Sequence, residues 1–119
     1  MDLRVKRVYD PPSPEDGVRV LVDRLWPRGL SKEGAKVDWW AKELAPSDEL
    51  RRFFAHDPEK YLEFLRRYRE ELEGNPTLER LRALAQRGRV TLLFGAREAR
   101  YNNATALAEI LRENPGEAV

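Results

Sequence analysis

Two segments, Val18–Val22 and Val90–Phe94, are apolar on both of their alternating faces. In the first, Val18, Val20 and Val22 share one face, Leu21 lies on the other, and Arg19 alone is polar. A strand with one wet face alternates; a strand apolar on both faces is covered on both sides, as inside a parallel sheet. Parallel neighbours need a crossover, usually a helix, and such crossovers are right-handed by strong precedent. The expected fold is therefore α/β, with a small, mainly parallel sheet of about three or four strands and helices on both faces. Leu3 to Tyr9 reads as a further strand, and the charges between Leu3, Val5 and Val8 suit a place near an edge.

The intervening sequence supplies the helices. Asp57 and Pro58 form a helix start, with proline at the first position where its missing N–H costs nothing. Tyr61, Leu65, Tyr68 and Leu72 follow at helical spacing, Leu62 and Phe64 broaden the stripe, and Gly74 closes it. Asn75 and Pro76 open another helix that carries Leu78, Leu81 and Leu84 and ends at Gly88. Ser47 caps a short helix through Phe54. Ser31 to Ala45 holds a short or irregular helix anchored by Val37, Trp39, Trp40 and Leu44. A final helix runs from about Asn102 to Arg112. Asp10 to Gly17, with Pro11, Pro12 and Pro14, is a loop.

The 119 residues suit a single domain spanning 1–119. The absence of cysteine excludes disulfides and thiol chemistry. With 22 basic and 21 acidic residues, the chain as a whole is not a basic nucleic-acid-binding domain. Dense paired charge and few labile residues form a thermophile-like mixture, which the arginine excess of a high-GC genome would equally produce. No apolar run approaches the roughly 20 residues of a spanning helix, and the charged N-terminus is not a signal peptide, so a cytoplasmic protein without membrane contact is expected.

In open α/β sheets ligands bind beyond the carboxyl ends of the strands. Two loops leave such ends, Asp23 to Gly29 and Gly95 to Asn103. Asp23 offers an acceptor and is a candidate base. Arg24 and Arg28 offer forked donors for carboxylate or phosphate, and Trp26 offers a flat wall. The competing reading is an internal Asp–Arg salt bridge with Trp26 in the core. The second loop adds Arg97, Glu98, Asn102 and Asn103 before a helix start, where anions are favoured; the alternative is capping by Asn102 or Asn103 and a solvated Arg97. His56, the only histidine, is a candidate general base or a structural residue of a capping turn. Of the adjacent Trp39 and Trp40, one belongs in the core and the other lines a cleft or an interface. No Gly-rich phosphate loop, metal-ligand cluster or Gly-x-Ser-x-Gly elbow is present, so no cofactor and no metal are expected.

Arg7-Val-Tyr-Asp-Pro-Pro, the run Val22-Asp-Arg-Leu-Trp-Pro-Arg-Gly, Lys42-Glu-Leu-Ala-Pro-Ser, Leu50-Arg51, His56 and Val90-Thr-Leu-Leu-Phe resemble the YeaO-like branch of the domain-of-unknown-function 488 family over nearly the whole chain. The resemblance implies a bacterial or archaeal cytosolic α/β protein and carries no activity with it. Broader relatives often have a cysteine after the last strand and Cys-His-Arg at the following helix. This chain has Phe94-Gly95 and Asn102-Asn103 at those places, and YeaO-like proteins commonly have Asn-His at the latter. A histidine-dependent mechanism there has lost its acid–base group.

The leading expectation is a pocket for a small anionic, phosphate- or nucleotide-like ligand, held by Arg24, Arg28 and Arg97 with Asp23, Trp26, Asn102 and Asn103. Nucleic-acid binding through a local arginine face is a second expectation; it needs Arg24, Arg28, Arg51, Arg97 and Arg100 on one exposed surface beside an exposed tryptophan. Lys42, Glu43, Ser47 and Arg51 are ordinary surface residues unless the fold brings them to the same rim. A non-catalytic interaction module anchored by Trp39 or Trp40 is a third. Whether the chain is an enzyme, and its oligomeric state, do not follow from the sequence.

Overall fold

A computed structural model describes residues 1–113. Strands β1 (Leu3–Arg7), β2 (Val18–Leu21), β3 (Trp39–Trp40) and β4 (Val90–Phe94) form one sheet in the order β1-β4-β2-β3, and every pairing is parallel. The α/β class and the parallel sheet are as expected. The two doubly apolar segments are the two central strands, and charged β1 lies at an edge.

The other edge, β3, differs from the helical expectation for its tryptophans. Ser31 to Ala45 contains only a one-turn helix, α1 (Lys32–Ala35), and a 3-10 turn at Lys42–Leu44. Ser31 caps α1 as expected, its Oγ accepting from Gly34 N–H at 2.9 Å, and Lys36 ends it in a left-handed conformation. The chain is then held extended against β2. Asp38 N–H donates to Arg19 O at 2.8 Å, the Asp38 carboxylate accepts from Arg19 N–H at 2.8 Å, and Ala41 N–H donates to Leu21 O at 2.8 Å. Long-range backbone pairing thus overrides local helical spacing.

The longer helices are α2 (Asp48–Phe54), α3 (Tyr61–Leu72), α4 (Pro76–Arg87) and α5 (Asn103–Glu113). Their apolar residues, among them Phe54, Phe64, Tyr68, Leu81 and Leu107, form the main core with Val20, Val22, Val90 and Leu92. In α3 the buried stripe is Tyr61, Phe64, Tyr68 and Leu72, whereas Leu62 is exposed, contrary to its expected place in the stripe. The opposite sheet face is covered more thinly. Val8, Leu21 and Leu93 pack there with Trp26, Leu30, Val37 and Trp40.

Further along that face, buried Arg19 donates to Asp16 at 2.6 Å, to Lys36 O at 3.0 Å and to Ala35 O at 2.7 Å, tying α1 and the turn at Pro14–Asp16 to the sheet. Helices therefore lie on both faces, unequally. Because all strands run the same way, their carboxyl ends share one rim, and the segments that follow Leu21, Trp40 and Phe94 meet there.

Candidate functional site

A cleft of about 360 Å³ opens at this rim. Asp23 and Asn103 form its polar floor, and Ala45, Pro46, Phe54 and Phe64 supply apolar walls. Exposed Arg24, Asp48, Arg51 and His56 surround the mouth, together with Leu25.

Asp23 follows buried Val22 directly, so β2 fixes its position. Its carboxylate accepts from Gly95 N–H at 2.8 Å and from Asn103 Nδ2 at 3.1 Å, and the same Nδ2 donates to Val22 O at 3.0 Å. The two strand-end loops do meet, through Asp23, Gly95 and Asn103. Position 95 is a close approach, since a Cβ there would stand 3.1 Å from Asp23 Oδ2. Burial pushes the Asp23 carboxyl above the ordinary aspartate range; the donors from Asn103 and Gly95 and the charge of His56 oppose that shift without cancelling it.

At the mouth, Arg24 donates to Pro46 O at 3.0 Å and stands 3.4 Å from Asp48 Oδ1, which also lies 3.6 Å from Arg51. Two guanidinium groups therefore share one carboxylate. His56 reaches the mouth because Ala55 and His56 both adopt left-handed backbone conformations after α2, and its ring meets Phe54 edge-on at 5.6 Å.

The other expected site residues lie elsewhere. Trp26 does not wall the cleft. It packs in the smaller cluster on the opposite sheet face, 5.5 Å edge-on from Trp40, and its indole N–H is taken by Leu30 O at 2.7 Å. Arg28 is exposed outside the cleft, and its main-chain oxygen accepts from Tyr9 Oη at 2.8 Å. Arg97 is exposed and also outside the lining. Asn102 is fully buried; it donates to Glu98 O at 2.8 Å and accepts from Thr105 N–H at 2.9 Å, capping α5. The expected internal salt bridge is not formed either, since Asp23 pairs with neither Arg24 nor Arg28 among the described residues.

Asp48 and Pro46 were not assigned to the site from the sequence, and Arg51, one turn after the Ser47 cap, was expected to be a surface residue unless the fold brought it to the rim. The approach of both Arg24 and Arg51 to Asp48 brings the two guanidinium groups together. Among the described residues no cluster of three or more potential metal ligands occurs, and no helix is long and apolar enough to cross a membrane.

Asn103 directly contacts Asp23. Residues 2–118 match the family described as the inactive DUF488-N3 subclade. The chain is 45% identical over 109 residues to an uncharacterised protein of Mycobacterium tuberculosis strain H37Rv, covering 92% of each chain. It is 42% identical over 113 residues to the uncharacterised protein YeaO of Escherichia coli K12, covering 94% of this chain and 98% of that one. No solved structure matches it significantly. With its strand-end run, its parallel sheet and a match across nearly its full length, the chain belongs to the DUF488-N3 family, in the subclade described as inactive.

Proposed function

We propose that the chain binds a small anionic ligand in the rim cleft and does so without catalysis. The observation that carries this reading is the shared carboxylate at the mouth. Arg24 and Arg51 are both present, with His56 beside them, and Asp48 answers them only at 3.4 and 3.6 Å. Exposed ion pairs of this kind contribute about 0–1 kcal/mol. Asp48 therefore holds the two guanidinium groups only weakly, and their donors can turn to an arriving oxyanion. Relative to the sequence expectation, Arg51 and His56 take the places given to Arg28 and Arg97. The description of the subclade as inactive supports a reading without turnover.

The competing readings have less support. Single-strand stacking needs an exposed tryptophan, and Trp26, Trp39 and Trp40 are all half-buried. Trp40 donates to Asp23 O at 2.8 Å, and Arg80 lies 4.4 Å over Trp39, so neither ring is a free anchor.

Titration calorimetry with ribose 5-phosphate tests the proposal. Saturable binding near or below about 1 mM, equivalent to some 4 kcal/mol, is expected. An Arg24→Ala/Arg51→Ala double variant should weaken it about tenfold or more. Unchanged affinity in that variant, with its fold intact by circular dichroism, would overturn the assignment of the anion to the mouth.

A further inference from the structure

We infer that Asp23 makes the cleft selective for nucleoside monophosphates whose base carries an exocyclic amino group. This rests on the anion-binding reading above and specifies what the rest of the cleft recognises.

The inference starts from unused acceptor capacity. An ionised carboxylate offers about four acceptor positions. Asp23 uses Oδ2 for Gly95 N–H and Oδ1 for Asn103 Nδ2, and neither Arg24 nor Arg51 reaches it. An incoming N–H donor favours the ionised form of this half-buried carboxyl against the burial that opposes it, and that form repels a second anion. The deep end of the cleft thus selects a donor and rejects phosphate, while the mouth selects phosphate.

Between these ends lie apolar surfaces. Phe54, Phe64, Pro46 and Ala45 line the cleft, and Leu25 stands at its edge with 72% of its surface exposed. A sugar phosphate alone leaves these walls in water; a flat heteroaromatic ring covers them. A volume of about 360 Å³ is near the lower end for small-molecule pockets, suited to one base and one phosphate. The lining thus offers an acceptor for an amino group at Asp23, apolar surface for a ring, and guanidinium donors for a phosphate at Arg24 and Arg51.

Asp23 also joins the two loops, and a purely loop-joining role would not distinguish one base from another. Calorimetry on the unmodified chain therefore compares matched pairs. Cytidine and uridine 5′-monophosphates differ at the amino position, as do adenosine and inosine 5′-monophosphates, and ribose 5-phosphate reports the anion alone. The amino member of each pair should bind about tenfold tighter or more, the usual range for a hydrogen bond to a charged group. Asp23→Asn should reduce that ratio toward one. Equal affinities within both pairs, alongside binding of ribose 5-phosphate, overturn the selectivity and leave the anion site standing. Silence from all five compounds overturns both. If Asp23→Asn does not fold, the matched pairs on the unmodified chain still decide the matter.

Discussion

At the scale of single residues, the site turns on one contact that leaves little room for a side chain. Gly95 brings its N–H to 2.8 Å from Asp23 Oδ2, and an added Cβ would stand 3.1 Å from that oxygen and 3.8 Å from the Tyr9 ring. Gly→Ala at a compatible site stabilises by about 0.4–1 kcal/mol through the unfolded chain. Overpacking costs about 1–3 kcal/mol. Asp23 has little room to retreat, because Asn103 holds its other oxygen and Trp40 holds its main-chain oxygen. The steric term should win, and Gly95→Ala should be destabilised by about 1 kcal/mol in chemical denaturation. A variant as stable as the parent would show that the loop yields freely and that the tight approach is not a constraint. Asp23 and Asn103 were legible in the sequence because strand ends and helix starts announce themselves. Trp26 was not, because the side of the sheet taken by a loop residue depends on where the chain turns after Leu25, which local pattern does not encode.

At the scale of elements, α2 positions half of the site and depends on a single hydroxyl. Ser47 Oγ accepts from Leu50 N–H at 3.1 Å and donates to Glu71 on α3 at 2.6 Å, while Ser47 N–H donates to the same carboxylate at 2.9 Å. One residue thus caps the helix and joins it to its neighbour. Ser47→Ala should cost about 1 kcal/mol, typical for a lost N-cap. The loss should be local, with faster amide exchange over 48–54 and little change in β4. Exchange that speeds equally throughout would assign the serine to global stability instead. Caps such as Ser47 and Asn75 were readable because their chemistry is short-range. The edge strand β3 was not readable, since Trp39 and Trp40 owe their extended form to Arg19 and Leu21, some twenty residues away in sequence. In α3, Phe64 rather than Leu62 completes the buried stripe because Phe54 stacks on it at 4.1 Å, again a contact between elements.

At the scale of the whole molecule, two doubly apolar strands were enough to give the fold class, but strand order depends on long-range pairing and came only with the structure. The molecule's pH response is likewise a sum that local reading misses, because its carboxylates are shifted in opposite directions. The Arg89 hydrogen bond holds Asp2 below its ordinary range, and Arg66 followed by Arg67 holds Glu63 down to about 2. Burial would raise Asp16, but the Ser13 N–H, Lys6 and Arg19 outweigh it and bring it down. Stability from these groups is present above the unfolded carboxylate values, about 3.9–4.3, and is lost as pH falls through their lowered folded values.

Asp23 has the opposite sign. Its folded value is raised, so the native chain holds a proton that the unfolded chain has released, and stability falls as pH rises from about 3.9 through the raised value. Asp23→Asn removes that titration while leaving Asp2, Asp16 and Glu63 in place. Below about pH 4 the variant should follow the parent's acid limb; between there and neutrality its midpoint should rise relative to the parent's. Thermal melts of both chains from pH 3 to 7 check this. Midpoints that differ by a constant amount across the range would mean that Asp23 titrates as it does in the unfolded chain, and that the cleft floor is better hydrated than its burial implies.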